Sequence, residues 1–388
     1  MAPNGAETTL RIGLIIYGSL NIISGSYLYD RMLVEYLQAQ GDTVEIIPMP
    51  WRGYANNLFD NWLPPLPNRL RTLDVDLLLQ DELNHPSLFW LNPSLARQKR
   101  YPIISIVHHL RSSESHPPLS MQLYRWVEKN YLHTVDGYVF NSQTTQKAVT
   151  ELAGANAAER PSLVAHPAAD HLPAPTPALL TNYIPLRCEK NGPLRILFVG
   201  NVIERKGLHM LLKALATLPA AEWKLDVVGS LTVDEEYAER IQQQIDQDRL
   251  RDQVSLMGAV SNETLCKHYL HANVLALPSY EGFGIVYLEA MRFGIPVIGL
   301  MAGGAREIIT PEENGFLVPP NDHASLAHYI QQLNSDRGLL ERMSMAAIRT
   351  YAAQPTWEQS CAAIHHWLHE FHMRHAAQYG LSSHANAD

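Results

Sequence analysis

The sequence predicts an α/β protein that contains two Rossmann-like domains in series. In both halves of the chain, buried strands alternate with helical periodicity, which is typical of parallel sheets covered by helices. Each half also begins with an apolar strand that ends at a glycine, at 10–17 and at 194–199. Between the halves, 161–193 is rich in proline and loses all periodicity, which indicates a connection between domains.

The composition fits this architecture. A chain of 388 residues is long enough for two domains, and 46% apolar with 18% charged residues describes an ordinary globular protein. The formal charge of −9 argues against nucleic acid as a partner. Three widely spaced cysteines form no metal or disulfide pattern, the N-terminus is polar, and no apolar run has transmembrane length. We therefore expect a cytoplasmic protein.

The first predicted domain, 1–175, opens with a β-α-β unit. Its strand at 10–17 is followed by a helix over 27–40 and a strand at 44–48. The intervening loop is not GxGxxG, so a dinucleotide dehydrogenase is not supported. Further strands are predicted at 76–79, 103–107 and 137–142. The strand at 103–107 delivers His108 and His109 to its carboxyl end, where open α/β sheets bind ligands.

Two stretches of this domain allow two interpretations each. Residues 51–68 are rich in aromatic side chains at helical spacing, which fits either a helix packed on its own domain or an aromatic surface for an apolar acceptor or a membrane interface. Residues 97–129 carry more basic than acidic side chains. They form either a solvated face or a contact for an anionic surface.

The second predicted domain, 194–356, follows a linker over 176–193 and repeats the pattern. Its strands are predicted at 194–199, 223–228, 254–257, 274–277 and 296–299. A helix with leucines on one face begins after Gly207. The tail, 357–380, is predicted as an amphipathic helix that packs back on the first domain.

The segment Pro278–Gly294 holds the strongest chemical signal. A strand, a glycine-rich loop and a helix follow one another there, an order that points backbone N–H groups at an anion. Arg205 and Lys206, at another strand-to-helix turn, suit a diphosphate. Glu281 and Glu289 are eight positions apart and do not share a helix face, so they are not the facing pair of a glycoside hydrolase.

The pattern Pro-Ser-x-Glu-Gly-Phe-Gly-x4-Glu-Ala-x3-Gly-x-Pro-Val, over 278–297, resembles the signature of the retaining GT-B-fold glycosyltransferases of family 4. Arg205-Lys206-Gly207, Gly258, Gly303-Gly304 with Glu307, and 314–319 follow in the order of that family. The resemblance is close over 195–355 and weaker over 10–175.

This resemblance implies two Rossmann-like domains that face each other across a cleft. The second would hold a nucleotide-diphosphate-sugar donor and the first an acceptor. Arg205 and Lys206 would neutralise the diphosphate, Glu281 would contact the sugar and Glu289 the ribose. The other site residues implied are His108 beside the reacting sugar, Gly25 where the acceptor side approaches the phosphate, Gly258 and Val260 near the base, and the donor-binding loop Gly282, Phe283, Gly284, Ile285 and Val286.

The implied reaction is front-face transfer with retention, with no metal and no cofactor. The aspartates of Asp74-Val75-Asp76 match a metal-binding motif of another glycosyltransferase fold but are interpreted as structural. The acceptor stays open, with a lipid-linked or membrane-proximal acceptor and peripheral membrane binding as hypotheses. A sugar-nucleotide epimerase, a phosphorylase and a non-catalytic sugar-nucleotide-binding protein are the alternatives. Residues 23–26 lack the glycine pair that the family often has.

Overall fold

A computed structural model describes residues 9–96, 101–114, 116–189 and 192–379. The chain divides into two compact units. The first comprises Met1–Pro167 together with Trp357–Asp388, and the second is the continuous segment Ala168–Thr356. Arg97, Lys99 and Arg100, which belong to the predicted basic stretch, lie outside the described residues.

Twelve strands form two six-stranded sheets among the described residues, and every pairing is parallel. The strands of the first unit are β1 (Arg11–Tyr17), β2 (Thr43–Met49), β3 (Leu77–Asp81), β4 (Ile103–Val107), β5 (Gly137–Phe140) and β6 (Ser162–Val164). Those of the second are β7 (Leu194–Val199), β8 (Trp223–Val228), β9 (Val254–Gly258), β10 (Val274–Leu277), β11 (Val297–Leu300) and β12 (Gly315–Val318).

Helices connect the strands and cover the sheets. They are α1 (Gly25–Ala39), α2 (Tyr54–Asn57), α3 (Pro65–Thr72), α4 (His85–Leu88), α5 (Asn92–Ala96), α6 (Pro118–Leu132), α7 (Gln143–Ala153), α8 (Ala155–Ala158), α9 (Pro177–Cys188), α10 (Leu208–Leu215), α11 (Glu235–Gln247), α12 (Asn262–His271), α13 (Ile285–Arg292), α14 (Ala305–Ile308), α15 (His323–Ser335), α16 (Arg337–Ala352) and α17 (Trp357–Tyr379). Short 3-10 turns occur at Leu58–Asn61, Glu82–Asn84, Arg111–Ser113, Glu204–Lys206 and Ala220–Glu222.

Both sheets reverse their strand order at one point. The first has the order β2-β1-β3-β4-β5-β6, and the second has the order β12-β11-β10-β7-β8-β9. The central strands are mostly apolar and are buried at every position, as expected for a parallel sheet between helix layers. The order reverses between β1 and β3 and between β10 and β7. Such switch points open a crevice at the carboxyl ends of the strands, where ligands bind.

The last helix, α17, belongs to the first unit although it follows the second in sequence. Gly137 at the start of β5 lets it approach, because a Cβ there would lie 2.9 Å from Phe371 and 3.2 Å from Trp367. The Ser360 hydroxyl donates a 2.6 Å hydrogen bond to the carbonyl of His166. The first unit is therefore built from two separate segments of the chain.

The region predicted as a linker differs most from expectation. Residues 162–164 form β6, the units divide after Pro167, and 177–188 form α9 within the second unit. Leu180, Ile184 and Cys188 are buried in α9. Prolines hid this helix in the sequence, although Pro177 occupies the first helical position, where proline is favourable. Strand β12 was also not predicted.

The aromatic stretch 51–68 is not one continuous helix. It consists of α2, a 3-10 turn and the start of α3, because prolines interrupt it. Trp51, Phe59 and Trp62 are all more than half exposed, so this stretch presents an aromatic surface. No helix in the described part of the chain is long and apolar enough to cross a membrane. The Asp74 and Asp76 side chains both pair with Arg11, which gives them a structural role.

Candidate active site

The switch point of the second sheet brings together the residues that the sequence singled out for a diphosphate. Strands β7 and β10 are neighbours there. The turn after β7 carries Arg205 and Lys206, and the loop after β10 carries Glu281. About 75 residues separate these two loops in the sequence, and the parallel pairing places their ends at the same edge of the sheet.

The Glu281 carboxylate is the centre of this arrangement. Lys206 Nζ donates a 2.6 Å hydrogen bond to Glu281 Oε1, and Arg205 Nη1 lies 3.8 Å from the same oxygen. The Ser279 hydroxyl also donates to it. Arg205 is oriented by a 2.9 Å hydrogen bond to the carbonyl of Tyr280. We call these four residues, Arg205, Lys206, Ser279 and Glu281, the Glu281 cluster.

The electrostatics of this cluster are strongly biased toward the ionised carboxylate. Burial alone would raise the pKa of Glu281, but the charges of Lys206 and Arg205 outweigh that effect and lower it to about 2. Side chains of Lys206 and Glu281 are each only 14% exposed. The carboxylate is therefore charged at any physiological pH and unsuited to act as a general acid.

Glycines allow the loops of this site to approach one another closely. A Cβ on Gly303 would lie 2.2 Å from the Glu281 carbonyl oxygen, and one on Gly304 would lie 2.5 Å from that of Gly282. Gly304 N–H donates a 2.8 Å hydrogen bond to the Glu281 carbonyl. The Gly303-Gly304 pair therefore holds the glycine-rich loop by direct backbone contact.

The glycine-rich loop leads into the N-terminus of α13. Gly284 has φ +102° and precedes the first helical residue, Ile285. Free N–H groups at the first turn of a helix, together with its dipole, favour an anion. Phe283 is buried in the core, so its side chain supports the loop. Gly282 and Val286 are half-buried. The loop can thus present backbone donors to a phosphate.

Glu289, predicted to meet the ribose, is buried in α13 with partners inside the second unit. The Tyr269 hydroxyl donates a 2.7 Å hydrogen bond to Glu289 Oε2, and His171 Nε2 lies 3.4 Å from Oε1. The sequence offered no signal for His171 or Tyr269, because both are distant from Glu289 along the chain. Any ribose contact by Glu289 would have to share the carboxylate with these two side chains.

The predicted base-binding residues lie at the end of β9 and just after it. Gly258 ends that strand with φ +68°, and its carbonyl accepts a 2.9 Å hydrogen bond from Gly229 N–H. Val260 is partly buried and packs against the core. Both residues therefore lie at the carboxyl edge of the same sheet as the Glu281 cluster.

In the first unit, His108 lies at the carboxyl end of β4 and is buried. Its Nε2 lies 3.2 Å from Asp30 Oδ1 of α1, and Asp81 at the end of β3 completes a group whose polar atoms lie within 4.8 Å of one another. The ring of Tyr29 packs edge-on against it at 5.3 Å between centroids. We call Asp30, Asp81 and His108 the His108 cluster.

This cluster has two carboxyl groups and one imidazole, so its charges do not balance. Burial and the nearby charge of Asp30 raise the pKa of Asp81 to about 7. Burial would lower the pKa of His108, but the charge and hydrogen bond of Asp30 raise it above its usual value. Sequence reasoning found His108 but missed Asp30, which lies on α1 and meets it only through the fold.

The two remaining predicted features of the first unit are more exposed. His109 pairs with Glu114, at 2.8 Å between Nε2 and Oε1. Gly25 is exposed at the first turn of α1, and a Cβ there would meet nothing within 4 Å. The space before this helix is consistent with a ligand approaching its N–H groups.

Three groups of described residues have spacings that suit a metal ion. They are the His108 cluster, the group Glu82, His85 and Glu128, and the group Asp42, His365 and His369. Burial raises the pKa of Glu82 well above its usual value, raises that of Glu128 to about 7 and lowers that of His85 to about 3. Burial therefore favours the neutral forms of all three side chains in the second group.

Two family models match the chain. The model for glycosyl transferases group 1 matches residues 188–350, and the model for Glycosyltransferase Family 4 matches residues 28–170. The first match contains the Glu281 cluster and the glycine-rich loop. The second contains the His108 cluster.

Similar curated proteins are glycosyltransferases. The phosphatidyl-myo-inositol mannosyltransferase of Mycobacterium leprae is 27% identical over 88% of this chain and 93% of its own length. An uncharacterised glycosyltransferase of Methanocaldococcus jannaschii is 36% identical over 42% of this chain. The D-inositol 3-phosphate glycosyltransferase of Xylanimonas cellulosilytica is 33% identical over 45%. The match spans only 41% of the length of each of the last two proteins.

Solved structures share the fold over nearly the whole chain. Sucrose-phosphate synthase from Thermosynechococcus elongatus aligns with a TM-score of 0.78 and 23% identity, over 94% of this chain and 99% of that one. HepE from Anabaena, solved with UDP-glucose, aligns with a TM-score of 0.74 and 20% identity, over 93% and 100%. These structures show that the chain has the GT-B fold, and the two family models, which together match most of the chain, identify it as a member of the GT-B glycosyltransferases.

Proposed function

We propose that this enzyme transfers a hexose from a nucleotide-diphosphate sugar to an acceptor hydroxyl, with retention and without a metal ion. The observation that carries the proposal is the Glu281 cluster at a switch point, beside the N-terminus of α13. Two cations and a set of backbone donors converge there. That combination suits a diphosphate whose charge grows as the sugar leaves.

The chemistry follows from these side chains. Lys206 and Arg205 would stabilise the negative charge of the leaving diphosphate, a task that a divalent cation performs in other enzymes. Since the Glu281 carboxylate already pairs with Lys206, we assign it to sugar hydroxyls rather than to nucleophilic attack. The acceptor hydroxyl would then attack from the face that the diphosphate leaves, and the diphosphate itself would take the proton.

Residue roles toward the donor remain part of this proposal. Gly282, Gly284 and the N–H groups of Ile285 and Val286 would bind phosphate or sugar. Gly258 and Val260 would lie near the base, and Glu289 near the ribose. His108 is proposed to approach the reacting sugar, and Gly25 to permit a close approach on the acceptor side. Each role stays a prediction from the family resemblance.

A thermal-shift screen tests donor binding first. Since HepE was solved with UDP-glucose, UDP and UDP-sugars are the first ligands to try, followed by GDP and ADP series. A ligand that binds only the folded chain raises the melting temperature, and the rise grows with the logarithm of its concentration once that exceeds its Kd. If no nucleoside diphosphate stabilises the protein, the donor-site assignment is wrong.

Turnover assays then separate the alternative functions. A transferase consumes donor only when an acceptor is supplied, an epimerase converts donor alone, and a phosphorylase requires inorganic phosphate. A non-catalytic protein would be stabilised by the donor without turnover. NMR of the product decides the stereochemistry: a product anomer opposite to that of the donor would exclude retention.

A group of exposed aromatic and leucine side chains in the first unit bears on the nature of the acceptor. Trp62 and Trp90 lie 6.2 Å apart between ring centroids, and buried Phe89 packs against both Trp90 and Trp126. Leu119, Leu123 and Trp126 follow one another on one side of α6 and are exposed. We call Trp62, Trp90, Leu119, Leu123 and Trp126 the aromatic face.

The charges beside the aromatic face are basic. Arg125 and Lys129 are exposed on α6. The only acid in α4, α5 or α6 is Glu128, and it is buried. Aromatic and basic side chains together are typical of binding to an anionic membrane interface. The mycobacterial relative is named for a phosphatidyl-myo-inositol acceptor. We therefore propose a lipid-linked acceptor reached at a membrane surface.

Co-sedimentation with anionic phospholipid vesicles tests this part. Replacing Trp62, Trp90 and Trp126 with alanine should abolish binding at low salt. Met373→Ala is the control, because Met373 is also exposed on the first unit but lies on α17. Absence of wild-type binding, or equal binding by both variants, would remove the membrane proposal and leave the donor site intact.

A further inference from the structure

Helix α17 carries five histidines, at positions 365, 366, 369, 372 and 375. His365 and His369 are one helical turn apart and both reach Asp42, which precedes β2 in the first unit. We propose that Asp42, His365 and His369 form a site for a divalent transition metal, best matched by zinc, that fastens α17 to the first unit. We call this group the zinc clasp.

The nitrogen–oxygen distances of this group match those of a zinc site, and the three potential ligand atoms lie within 4.8 Å of one another. His369 Nε2 lies 3.2 Å from both Asp42 oxygens, and His365 Nε2 lies 3.4 Å from Oδ2. The two imidazole rings are 4.3 Å apart between centroids. Zinc bonds of about 2.0–2.1 Å in a tetrahedron place neighbouring ligand atoms about 3.3 Å apart. One ion can therefore contact all three side chains.

The donor set also selects the class of metal. Two imidazole nitrogens and one carboxylate suit zinc and its transition-metal neighbours, whereas magnesium and calcium prefer oxygen ligands alone. Histidines at i and i+4 on a helix are a recurrent pair in zinc sites. Three protein ligands leave the fourth position to water, and both histidines retain some exposure on that side.

A second contact orients the carboxylate. Leu10 N–H donates a 2.8 Å hydrogen bond to Asp42 Oδ1, and the Asp42 side chain is almost completely buried. Hydrogen bonds of this kind fix the geometry of metal-ligating carboxylates. The position of Asp42 is thus set by β1 and β2, so that the clasp joins the edge of the sheet to a helix from the far end of the sequence.

The clasp lies away from the proposed chemistry of the first unit. Asp42 precedes β2, whereas His108 follows β4. Because all strands of the sheet are parallel, Asp42 lies at the amino ends of the strands and His108 lies at their carboxyl ends. The metal is therefore structural, and the proposal is independent of metal-free sugar transfer. Trp367, Phe371 and Ser360 also hold α17, so we expect variants of the clasp to fold.

Metal uptake by the intact, EDTA-treated chain tests the proposal. After equilibrium dialysis against zinc chloride and elemental analysis, we expect about one zinc per chain. Added zinc should raise the melting temperature, because it binds the folded state selectively. His369→Ala and Asp42→Asn should lose both effects. Cobalt(II) should give the visible absorption of a four-coordinate site in the wild type but not in these two variants.

His366→Ala is the matched control. His366 is on the same helix but is 73% exposed and pairs with Glu370. This variant should take up zinc as the wild type does. Two results would overturn the proposal: no stoichiometric uptake by the wild type, or equal uptake by the wild type, His369→Ala and Asp42→Asn. If His366→Ala loses zinc as His369→Ala does, the metal binds the exposed histidines and the clasp is likewise excluded. Circular dichroism confirms folding, and His365→Gln replaces any variant that fails it.

Discussion

The Glu281 cluster and the His108 cluster both place buried ionisable groups at the carboxyl ends of parallel strands. The pKa of the carboxyl group shifts in opposite directions in the two clusters. In the second unit, two cations surround one carboxylate and lower its pKa to about 2. In the first unit, two carboxyl groups share one imidazole, and the pKa of Asp81 rises to about 7. Similar burial thus gives opposite shifts, because the number of nearby cations decides the sign.

The difference indicates what each site can bind. A cluster with an excess of positive charge keeps the Glu281 carboxylate ionised and suits an anionic ligand such as a diphosphate, whereas a cluster short of cations holds a proton near neutral pH. Ligand charge should therefore matter most in the second unit. Solution pH should matter most in the first. Four substitutions test this contrast.

The largest effect is expected from Lys206→Ala. Removing a cation aimed at developing charge lowers kcat by about 10²–10³-fold, while the Glu281 carboxylate keeps Arg205 at 3.8 Å and Ser279 as partners. Lys213→Ala is the control, because Lys213 is exposed on nearby α10. Steady-state turnover of both variants decides the matter. A Lys206→Ala enzyme that retains most of its activity would end the proposed role of this residue.

Glu281→Gln should lower the free energy of unfolding by about 3 kcal/mol at neutral pH, since the wild-type pKa falls from 4.5 to about 2 on folding. A lowered pKa stabilises the fold above the unfolded value and loses that effect as pH falls through the folded value. The difference between variant and wild type should therefore shrink between about pH 4.5 and about pH 2. Urea unfolding across this range measures it, and a constant difference would contradict the ion-pair account.

Asp81→Asn should show the reverse dependence. The wild-type pKa rises from 3.8 to about 7 on folding, so the stability it contributes at low pH is lost as pH rises toward 7. Asparagine imitates the neutral carboxyl group. The variant should gain about 4 kcal/mol over the wild type above neutral pH, because each pKa unit corresponds to about 1.4 kcal/mol, and nothing in acid. Thermal unfolding of the variant and the wild type, measured once in acid and once above neutral pH, tests this expectation. A variant destabilised most at high pH would show that the charged form is the native one.

Ser279→Ala should have the smallest effect. It removes one hydroxyl donor from Glu281 Oε1, while Lys206 and Arg205 remain. One hydrogen bond to a charged group contributes about 1.5–3 kcal/mol, and the lower end applies here because both cations remain beside the carboxylate. We expect a loss of that size in urea unfolding, with turnover reduced far less than in Lys206→Ala. A loss of turnover equal to that of Lys206→Ala would mean that the hydroxyl contacts the donor directly.

Patterns within short segments predicted most of the architecture. Buried β-branched runs that end at glycine marked β1 and β7, and the same glycines indicated the loops that form the switch points. Arg205, Lys206 and Glu281 were linked by family order, and the parallel pairing of β7 with β10 brings them into contact. These features depend on local sequence and on a recurrent topology, which is why they could be predicted.

The site residues that the sequence analysis missed depend on contacts between residues that are far apart in the chain. Asp30 meets His108, and His171 meets Glu289, only after sheets and helices have assembled. No local pattern marks an aspartate on α1 as a partner of β4. Helix α9, in the region predicted as a linker, was missed for a different reason. It contains prolines at its start and inside it, so that its sequence does not look helical, although its buried residues pack in the second unit.

The split first unit has a consequence for synthesis of the protein. Residues 9–167 leave the ribosome first, but Gly137 and its surroundings lack Trp367 and Phe371 until the last segment emerges. The second unit is continuous, and domains generally fold as units while the chain is made. We therefore expect the unit that starts first to be completed last. While the second unit is being made, the first unit would expose the apolar surface around Gly137 that α17 later covers. We therefore expect the first unit to depend most on chaperones.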